Sequence, residues 1–369
     1  MCSALLLSRR FMTHTGTVKK GGKADYRLFR SISRLTGSRR DDVLLGPMFG
    51  ADFGVIDNGG SRVIAISTDP IYVDNYLPHE DAAWFAFHVI VADVALSGLK
   101  PSHLAVSWNL PPEMDDRTFL SISRVFDSEA KTLDMSIVTG HTGRYDGCKA
   151  PILGAGTSIA VGRKERLILP SGIRPGDRLI LTKSPGLETA LLLSHRFGSL
   201  LSNSIGRAAT IRLRRKLRLL SPVSDAAIAT ASGGVSAMHD ASERGVYGAL
   251  YELSRASGLS FAVEPDKIII DRDVRQIADF LSFDPLRSSS EGTLLITADE
   301  DSAARIVRRL ANAGITGSIC GTAMSGKGGL FEVNSARCFS GATSMRYDII
   351  TTFCIAPAMP LYISRNTNS

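Results

Sequence analysis

The stretch "DAAWFAFHVIVADVALSGLKP", residues 81–101, decides the fold. Residues 81–99 are apolar nearly all round, which predicts a helix that is buried on every side. Gly98 and Pro101 are typical stop signals at its end. Asp93 interrupts the apolar run, and a buried carboxylate is costly unless it is paired or bound to a cation.

Three further aspartates lie at the ends or breaks of apolar segments: Asp52 in "FGADFGVI", Asp69 in "AISTDPI" and Asp240 at the end of "VSAMHD". A single residue of this kind is most simply a capped or salt-bridged core aspartate. Four together favour a Mg²⁺–nucleotide site, because Mg²⁺ is held by one or two carboxylates plus phosphate oxygens. The chain has no GxxxxGK[ST] loop and no GxSxG elbow, so neither of those sites is expected.

A histidine stands in the glycine-rich stretch "VTGHTGRYDG", residues 138–147. The pattern predicts a strand that stops in a glycine turn built from Gly140, Gly143 and Gly147, with His141 in its middle. From the residues alone, His141 has four candidate roles: metal ligand, proton carrier, phosphate contact or turn cap.

Composition sets the broad class of protein. The 369 residues are 44% hydrophobic and 21% charged, as in soluble globular proteins of about two domains. No run approaches the roughly 18 apolar residues of a membrane span, and "CSALLLSRR" is too short for a signal peptide. The five cysteines form no CxxC pair, which argues against a zinc site or a disulfide framework. We therefore expect a cytoplasmic protein with no membrane partner.

The formal net charge of +7 is concentrated in residues 9–40 and in "RLRRKLR", residues 212–218. We interpret these as a mobile basic tail and one solvated helix face. Few aromatic residues accompany the charges, so no base-stacking surface is expected and a nucleic-acid partner is unlikely.

The order of elements predicts two α+β units rather than one doubly wound sheet. Residues 1–40 form a weakly ordered basic extension, residues 41–168 the first unit, 169–335 the second, and 336–369 a tail without clear pattern. In the second unit, Ser184-Pro185 is expected to give the N-cap and first turn of a helix that ends at about His195.

Six short motifs, taken in order, resemble those of the aminoimidazole-ribonucleotide (AIR) synthase superfamily. They are "GADFGVI" (50–56), "STDPI" (67–71), "VADVALSGLKP" (91–101), "VTGHTG" (138–143), "MHDASERGV" (238–246) and "SSSEGTLLIT" (288–297). Each motif is weak alone, but the series covers about residues 22–335. The likeness is greatest to archaeal proteins related to the hydrogenase-maturation dehydratase.

The resemblance implies a chain of two domains in which the N-terminal domains of two subunits pair into a β-barrel and the C-terminal domain is an α/β sandwich. It implies a homodimer that binds ATP and Mg²⁺ between the domains. The implied activity is that of an enzyme, a ligase, dehydratase or kinase, that phosphorylates or ATP-activates a small-molecule or carbamoyl-type substrate. A maturation partner protein is compatible with it. The alternative is a non-catalytic nucleotide-binding maturation factor or scaffold of the same fold.

Carried over residue by residue, the resemblance implies that Asp52, Asp69 and Asp93 hold Mg²⁺ or position it against phosphates. Asp240 and His141 would be catalytic. Phosphate or substrate contacts are implied for a wider set of residues: Thr68, Asp69, Asp93, His141 and His239. Two alternatives stay open, since Thr68 would otherwise simply continue its strand and His239 would pack under the loop. Glu291-Gly292 resembles a substrate-side turn, or is a purely structural one.

Departures from the family pattern give the non-catalytic alternative its weight. Ala51 and His141 stand where relatives have acids, and Arg244 replaces the first glycine of a pair. Cys354, the last cysteine, lies 15 residues from the end, without the Pro-Arg-x-Cys context of the dehydratase.

Overall fold

The computed structural model of the chain describes residues 26–326 and 328–332. Its N-terminal unit holds six strands, β1 to β6, which run over Val43–Leu45, Gly54–Asp57, Arg62–Tyr72, Pro101–Leu110, Ser136–Arg144 and Ile152–Arg163. The helices α1 to α3 of this unit cover Tyr26–Ile32, His79–Leu96 and Asp116–Thr132.

The C-terminal unit alternates strands and helices. Its strands β7 to β12 run over Arg178–Thr182, Val235–Ala241, Ser260–Val263, Ser290–Ala298, Gly317–Met324 and Gly329–Glu332. Its helices α4 to α10 cover Leu187–Arg196, Gly198–Leu201, Arg207–Arg214, Val223–Ser232, Gly245–Ser257, Arg272–Leu281 and Glu300–Asn312. A π-helical turn, Ser202–Gly206, joins α5 to α6.

The N-terminal sheet has the order β1-β2-β3-β6-β4-β5 and is antiparallel except for the β4–β5 pair. Side chains alternate between its two faces along each strand. One face is buried against α2 and α3, as at Val63 and Val106. The opposite face carries Ile64, Ile66 and Ile159, which keep part of their side chains exposed.

The C-terminal sheet has the order β12-β9-β11-β7-β10-β8 and is covered on both faces. Ile296 of β10 belongs to the apolar cluster that contains α7 and α10, whereas its neighbour Leu295 belongs to the cluster that contains α8. Every residue of β10 is therefore buried. The antiparallel pairing of most strands confirms the expected α+β class rather than a parallel, doubly wound sheet.

Helix α2 packs against both units. Thirteen of its 18 residues are buried, as its all-round apolar sequence predicts. Its C-terminal residues Val94 and Leu96 share an apolar cluster with Met238 of β8, and Phe87 shares one with Leu191 of α4. The core is thus continuous across the two units, which fixes how they sit against each other.

Hydrophobic periodicity and turn signals predict a strand over 178–182, a helix over 223–232 and a strand over 260–263, and these are the observed bounds of β7, α7 and β9. One prediction near the start of the chain needs correction. Within the segment expected to be weakly ordered, residues 26–32 form helix α1. Residues 1–25 and the predicted tail 336–369 lie outside the described residues, and strand β12 was not predicted.

The glycine turn predicted around His141 is wrong. Strand β5 continues through His141 to Arg144, in parallel register with β4. Gly140 serves close strand packing, because a Cβ there would collide with the carbonyl oxygen of Val106. Of the three glycines expected to build the turn, only Gly147, with φ +89°, has a left-handed backbone.

The predicted N-cap at Ser184 is also wrong. Helix α4 begins after Gly186, which has φ +73° and donates its backbone N–H to Ser290 Oγ at 2.6 Å. Ser184 Oγ instead accepts the backbone N–H of Asp271 at 2.9 Å and so joins α4 to α9. In the described ranges, no helix is both long and apolar enough to cross a membrane.

Candidate functional site

Four of the predicted site residues converge where the two units face each other. The ligand atoms of Asp52, His239 and Asp240 all lie within 4.8 Å of one another. Asp69, near the end of β3, acts electrostatically on the same carboxylate, Glu291, as Asp240 does. Asp52 and Asp69 come from the N-terminal unit and His239 and Asp240 from the C-terminal one, so neither unit forms the site alone.

His239 is the buried centre of this group. Its Nε2 lies 3.4 Å from Asp52 Oδ2 and 3.3 Å from Glu252 Oε2. Its Nδ1 donates to the backbone carbonyl of Asp240 at 2.8 Å. Burial disfavours the charged imidazole, but Asp52, Asp240 and Glu252 outweigh it and raise the pKa of His239 well above its ordinary value. The imidazolium therefore links the carboxylates from the two units.

The loop that carries Asp52 is placed by a glycine. Gly50 is buried with φ +86°, and a Cβ there would collide with the backbone carbonyl of Glu252 in α8. Phe49 packs edge-on against Tyr251, with ring centroids 5.9 Å apart. This close approach to α8 brings Asp52 to His239.

A bulge in β10 carries a further carboxylate. Ser290 pairs with Ala241 of β8, yet the next paired residue is Leu294, so three residues between them bulge from the ladder. One of them is Glu291, which is buried. Burial and the charges of Asp240, Glu188 and Asp69 raise the pKa of Glu291 well above its ordinary value.

Glu188 supports the bulge from the first turn of α4. Its Oε2 accepts the hydroxyl of Ser289 at 2.6 Å and the backbone N–H of Glu291 at 2.8 Å. Burial raises the pKa of Glu188, although both donors favour the carboxylate. Two carboxyl groups with raised pKa values thus lie beside Asp69 and Asp240.

A buried ion pair holds the bulge from below. Lys183, with φ +56°, contacts Asp225 Oδ2 at 2.5 Å through its Nζ. The same Nζ donates to the carbonyl oxygens of Ser221 at 2.6 Å and Gly292 at 3.1 Å. Burial lowers the pKa of Lys183 and raises that of Asp225 to about 6. Lys183 therefore fixes the backbone next to Glu291.

Thr68 and His141 do not lie in this group of side chains. Thr68 lies on the outer face of the sheet and bonds Thr157 Oγ1 at 2.9 Å. His141 lies on edge strand β5, separated from β3 by two strands, where its Nε2 contacts Tyr145 Oη at 2.5 Å. Asp93 is half-buried on α2. The roles proposed for these three residues stay predictions.

Sequence reasoning missed Lys183, Glu188, Asp225 and Glu252. The sequence held one signal for Lys183: it is a charged residue directly after the apolar run "RLILT", just as Asp69 and Asp240 come at the ends of apolar runs. Glu252 interrupts the apolar helix α8, as Asp93 interrupts α2. The pairing of Lys183 with Asp225 joins residues 42 positions apart and has no local signature.

The oxygen donors of this group of side chains suit a hard divalent cation. Asp52, Asp69 and Asp240 offer carboxylate oxygens, which Mg²⁺ prefers. Glu291 Oε1 is buried without a hydrogen-bond partner among the described residues, so the site holds acceptor capacity that a cation or a ligand would satisfy. The raised pKa of His239 favours the imidazolium, which would be a poor metal ligand and would link the carboxylates by its positive charge.

Comparison with known proteins identifies the family. The N-terminal domain of AIR synthase related proteins matches residues 50–161, and their C-terminal domain matches residues 174–334. A putative hydrogenase expression/formation protein of Methanocaldococcus jannaschii is 26% identical over 236 residues, 64% of this chain and 67% of that protein. The carbamoyl dehydratase HypE of Azotobacter vinelandii is 26% identical over 261 residues, 68% of this chain and 71% of the relative.

A kinase and two solved structures extend the likeness. Thiamine-monophosphate kinase of Pyrococcus horikoshii is 26% identical over 262 residues, 70% of this chain and 79% of the kinase. A HypE–HypF complex superposes with TM-score 0.70 at 17% identity, covering 88% of this chain and 99% of the other. The structure of HypE in complex with ATP superposes with TM-score 0.64 at 20% identity, covering 90% of this chain and 97% of the other. The resemblance seen in the six motifs is confirmed, and the chain belongs to the AIR synthase related family.

Proposed function

We propose that this chain is an ATP-dependent enzyme that binds nucleotide with Mg²⁺ in the cleft between its units and phosphorylates or ATP-activates a small-molecule or carbamoyl-type substrate. The observation that carries the proposal is the convergence of Asp52, Asp69, Asp240 and Glu291 from both units. Relatives at 26% identity include a carbamoyl dehydratase and a thiamine-monophosphate kinase, and these support the two reaction types.

Electrostatics favours a cation together with the nucleotide. Several carboxylates in one partly buried cleft repel each other, and they would repel phosphates as well. Asp52, Asp69 and Asp240 would hold Mg²⁺, with Asp93 as the remaining proposed ligand. When bound, Mg²⁺ would neutralise charge on the phosphate oxygens during transfer.

The chain's own side chains set the geometry and hold protons. The imidazolium of His239 keeps Asp52 and Asp240 together across the cleft. The raised pKa of Glu291 favours a proton on its carboxyl group, so Glu291 is suited to donate a hydrogen bond or a proton to a bound oxygen. Glu188 and Lys183 position Glu291 through its backbone and that of Gly292.

Calorimetric titration of ATP with and without Mg²⁺ tests the proposal. We expect Mg²⁺-dependent binding that Asp240→Asn and Asp69→Asn each weaken about tenfold or more. Asp134→Asn is the control, because the side chain of Asp134 is 88% exposed and pairs with a surface lysine. Absence of ATP binding by the wild type in the presence of Mg²⁺ refutes the proposal.

Turnover separates the enzyme from a nucleotide-binding scaffold. We expect ADP formation from ATP to rise when thiamine monophosphate or a carbamoylated thiol is added, because transfer of the γ-phosphate to either substrate leaves ADP. Tight ATP binding with no turnover on either substrate class would favour the scaffold instead.

We also propose that the N-terminal sheet pairs with a second copy of the chain, in line with the barrel that the family resemblance implies. Strand β5 is an edge strand whose side chains are largely exposed, with Ile137 and Val138 at 45% and 54% exposure. Unpaired apolar edges invite pairing with another chain. The half-exposed isoleucines of the outer face would be covered in the same dimer.

A further inference from the structure

A basic cavity lies at the C-terminal end of α4, away from the cleft. It has a volume of about 780 Å³, and its lining includes His195, Arg196, Arg207 and Arg214. None of the described residues that line it is acidic. Glu188, in the first turn of the same helix, is eight residues from Arg196, or about 12 Å along the axis. The cavity is therefore distinct from the carboxylate site.

Its cations are held in place by the fold. The guanidinium of Arg196 lies over the rings of Tyr76 and Phe197, 5.0 and 5.5 Å from their centroids. Tyr76 comes from the N-terminal unit, so a contact between the two units helps to hold Arg196. Arg214 donates to the backbone carbonyl of Ser194 through one terminal nitrogen, and its buried Nε has no hydrogen-bond acceptor among the described residues.

The neighbouring basic residues behave differently. Arg212 pairs with Asp273 at 2.5 Å, and Lys216 pairs with Asp271 at 2.6 Å. The "RLRRKLR" stretch is thus not the freely solvated helix face that was predicted, because part of it is tied to α9 by ion pairs. No ion pair within 4 Å is formed by Arg196, Arg207 or Arg214 in the described part of the chain. These three arginines leave an uncompensated positive charge in one concave surface.

The positive charge of the cavity affects the pKa of its histidine, His195. Burial and the adjacent Arg214 lower the pKa of His195, although Asp81 opposes them. Ser199, Ser202 and Asn203 add neutral hydrogen-bonding groups to the wall. Guanidinium groups with hydroxyl and amide donors suit the oxygens of phosphate groups, which accept two hydrogen bonds from each arginine.

We propose that this cavity is a second ligand site, which binds a phosphate-bearing small molecule through Arg196, Arg207 and Arg214. A cavity of about 780 Å³ has room for a diphosphate ester. The site is independent of the cleft, since it shares no lining residue with the carboxylate group.

Calorimetric titration of inorganic pyrophosphate into the full chain, in buffer with EDTA, tests the site. We expect binding by the wild type and a loss of affinity of about tenfold for Arg207→Ala and for Arg214→Ala. Arg207 is exposed, so its variant is expected to fold even if Arg214→Ala does not. Arg215→Ala is the matched control, because Arg215 is exposed at the end of the same helix and does not line the cavity.

Titration of ATP with Mg²⁺ into the same variants distinguishes this site from the cleft. We expect Arg207→Ala to bind ATP with the same affinity as the wild type, whether or not the wild type turns ATP over. Absence of pyrophosphate binding by the wild type, or equal binding by Arg207→Ala, overturns the proposal. A glutamate decapeptide that displaces pyrophosphate at lower concentration would assign the cavity to an acidic protein segment and overturn it as well.

Discussion

Removal of the Lys183 ammonium should destabilise the chain strongly. Lys183 and Asp225 have side-chain exposures of 5% and 0%, and their charged atoms are 2.5 Å apart. Lys183→Met leaves a buried carboxylate without its counter-ion, which typically costs about 3–5 kcal/mol. It also leaves the carbonyl oxygens of Ser221 and Gly292 without a donor.

Urea denaturation followed by circular dichroism at neutral pH measures this loss. Lys183→Met should lower the unfolding midpoint, and Lys183→Met/Asp225→Asn should recover more than half of the loss because the unpaired charge is gone. Lys100→Met is the control: its pair with Asp134 is exposed, so the change should stay within about 1 kcal/mol.

Two outcomes would refute this reasoning. A loss below about 1 kcal/mol in the single variant would mean that the ion pair contributes no more than a surface pair. A double variant as unstable as the single one would mean that the buried charge of Asp225 is not the cause. The same variants should show weaker binding of ATP with Mg²⁺, because Gly292 positions Glu291.

Three further predictions concern the cleft and the sheet edge. Glu291→Gln should stabilise the metal-free protein relative to the wild type, and increasingly so as the pH rises above about 4.5. The folded-state pKa of Glu291 is raised, so above its unfolded pKa the wild type loses stability that the glutamine variant keeps. Urea midpoints at pH 5 and pH 8 in EDTA check the sign. Gly50→Ala should cost about 1–3 kcal/mol of folding stability and weaken ATP binding. Gly59→Ala is its control, because Gly59 has φ +82° and no atom near its Cβ, so this variant carries the backbone strain alone. Thermal unfolding compares the two variants. Val138→Lys should convert the dimer to monomer in light scattering, and the exposed Leu35→Lys should not; a wild-type monomer would contradict the proposed sheet pairing.

The sequence alone determined most of the elements, because hydrophobic periodicity and caps are local. Helix α7 and strand β9 have the predicted bounds, and the all-round apolar pattern of α2 gave its buried position between the units. The acids that end or interrupt apolar runs predicted one shared site for Asp52, Asp69, Asp93 and Asp240, and the structure groups Asp52 and Asp240 with His239. A costly buried charge is visible in sequence wherever an apolar pattern is broken.

Local patterns misled where a residue served a distant contact. Gly140 resembles a turn residue, but it lies in a strand because the carbonyl of Val106 leaves no room for a Cβ. Ser184 resembles an N-cap, but its hydroxyl accepts a hydrogen bond from Asp271 of another helix. In both cases the contact partner is remote in sequence, so no window of neighbouring residues contains the reason.

Tertiary structure alone decided the composition of the site. It joined His239 to Asp52 and Glu252, turned Glu291 into the cleft through a bulge, and placed Lys183 beneath that bulge. It also placed His141 on the edge strand, away from the acids with which the motif series had grouped it. The physical reason is that burial and the summed field of charges set a side chain's pKa and partners, and both exist only once distant segments are packed together.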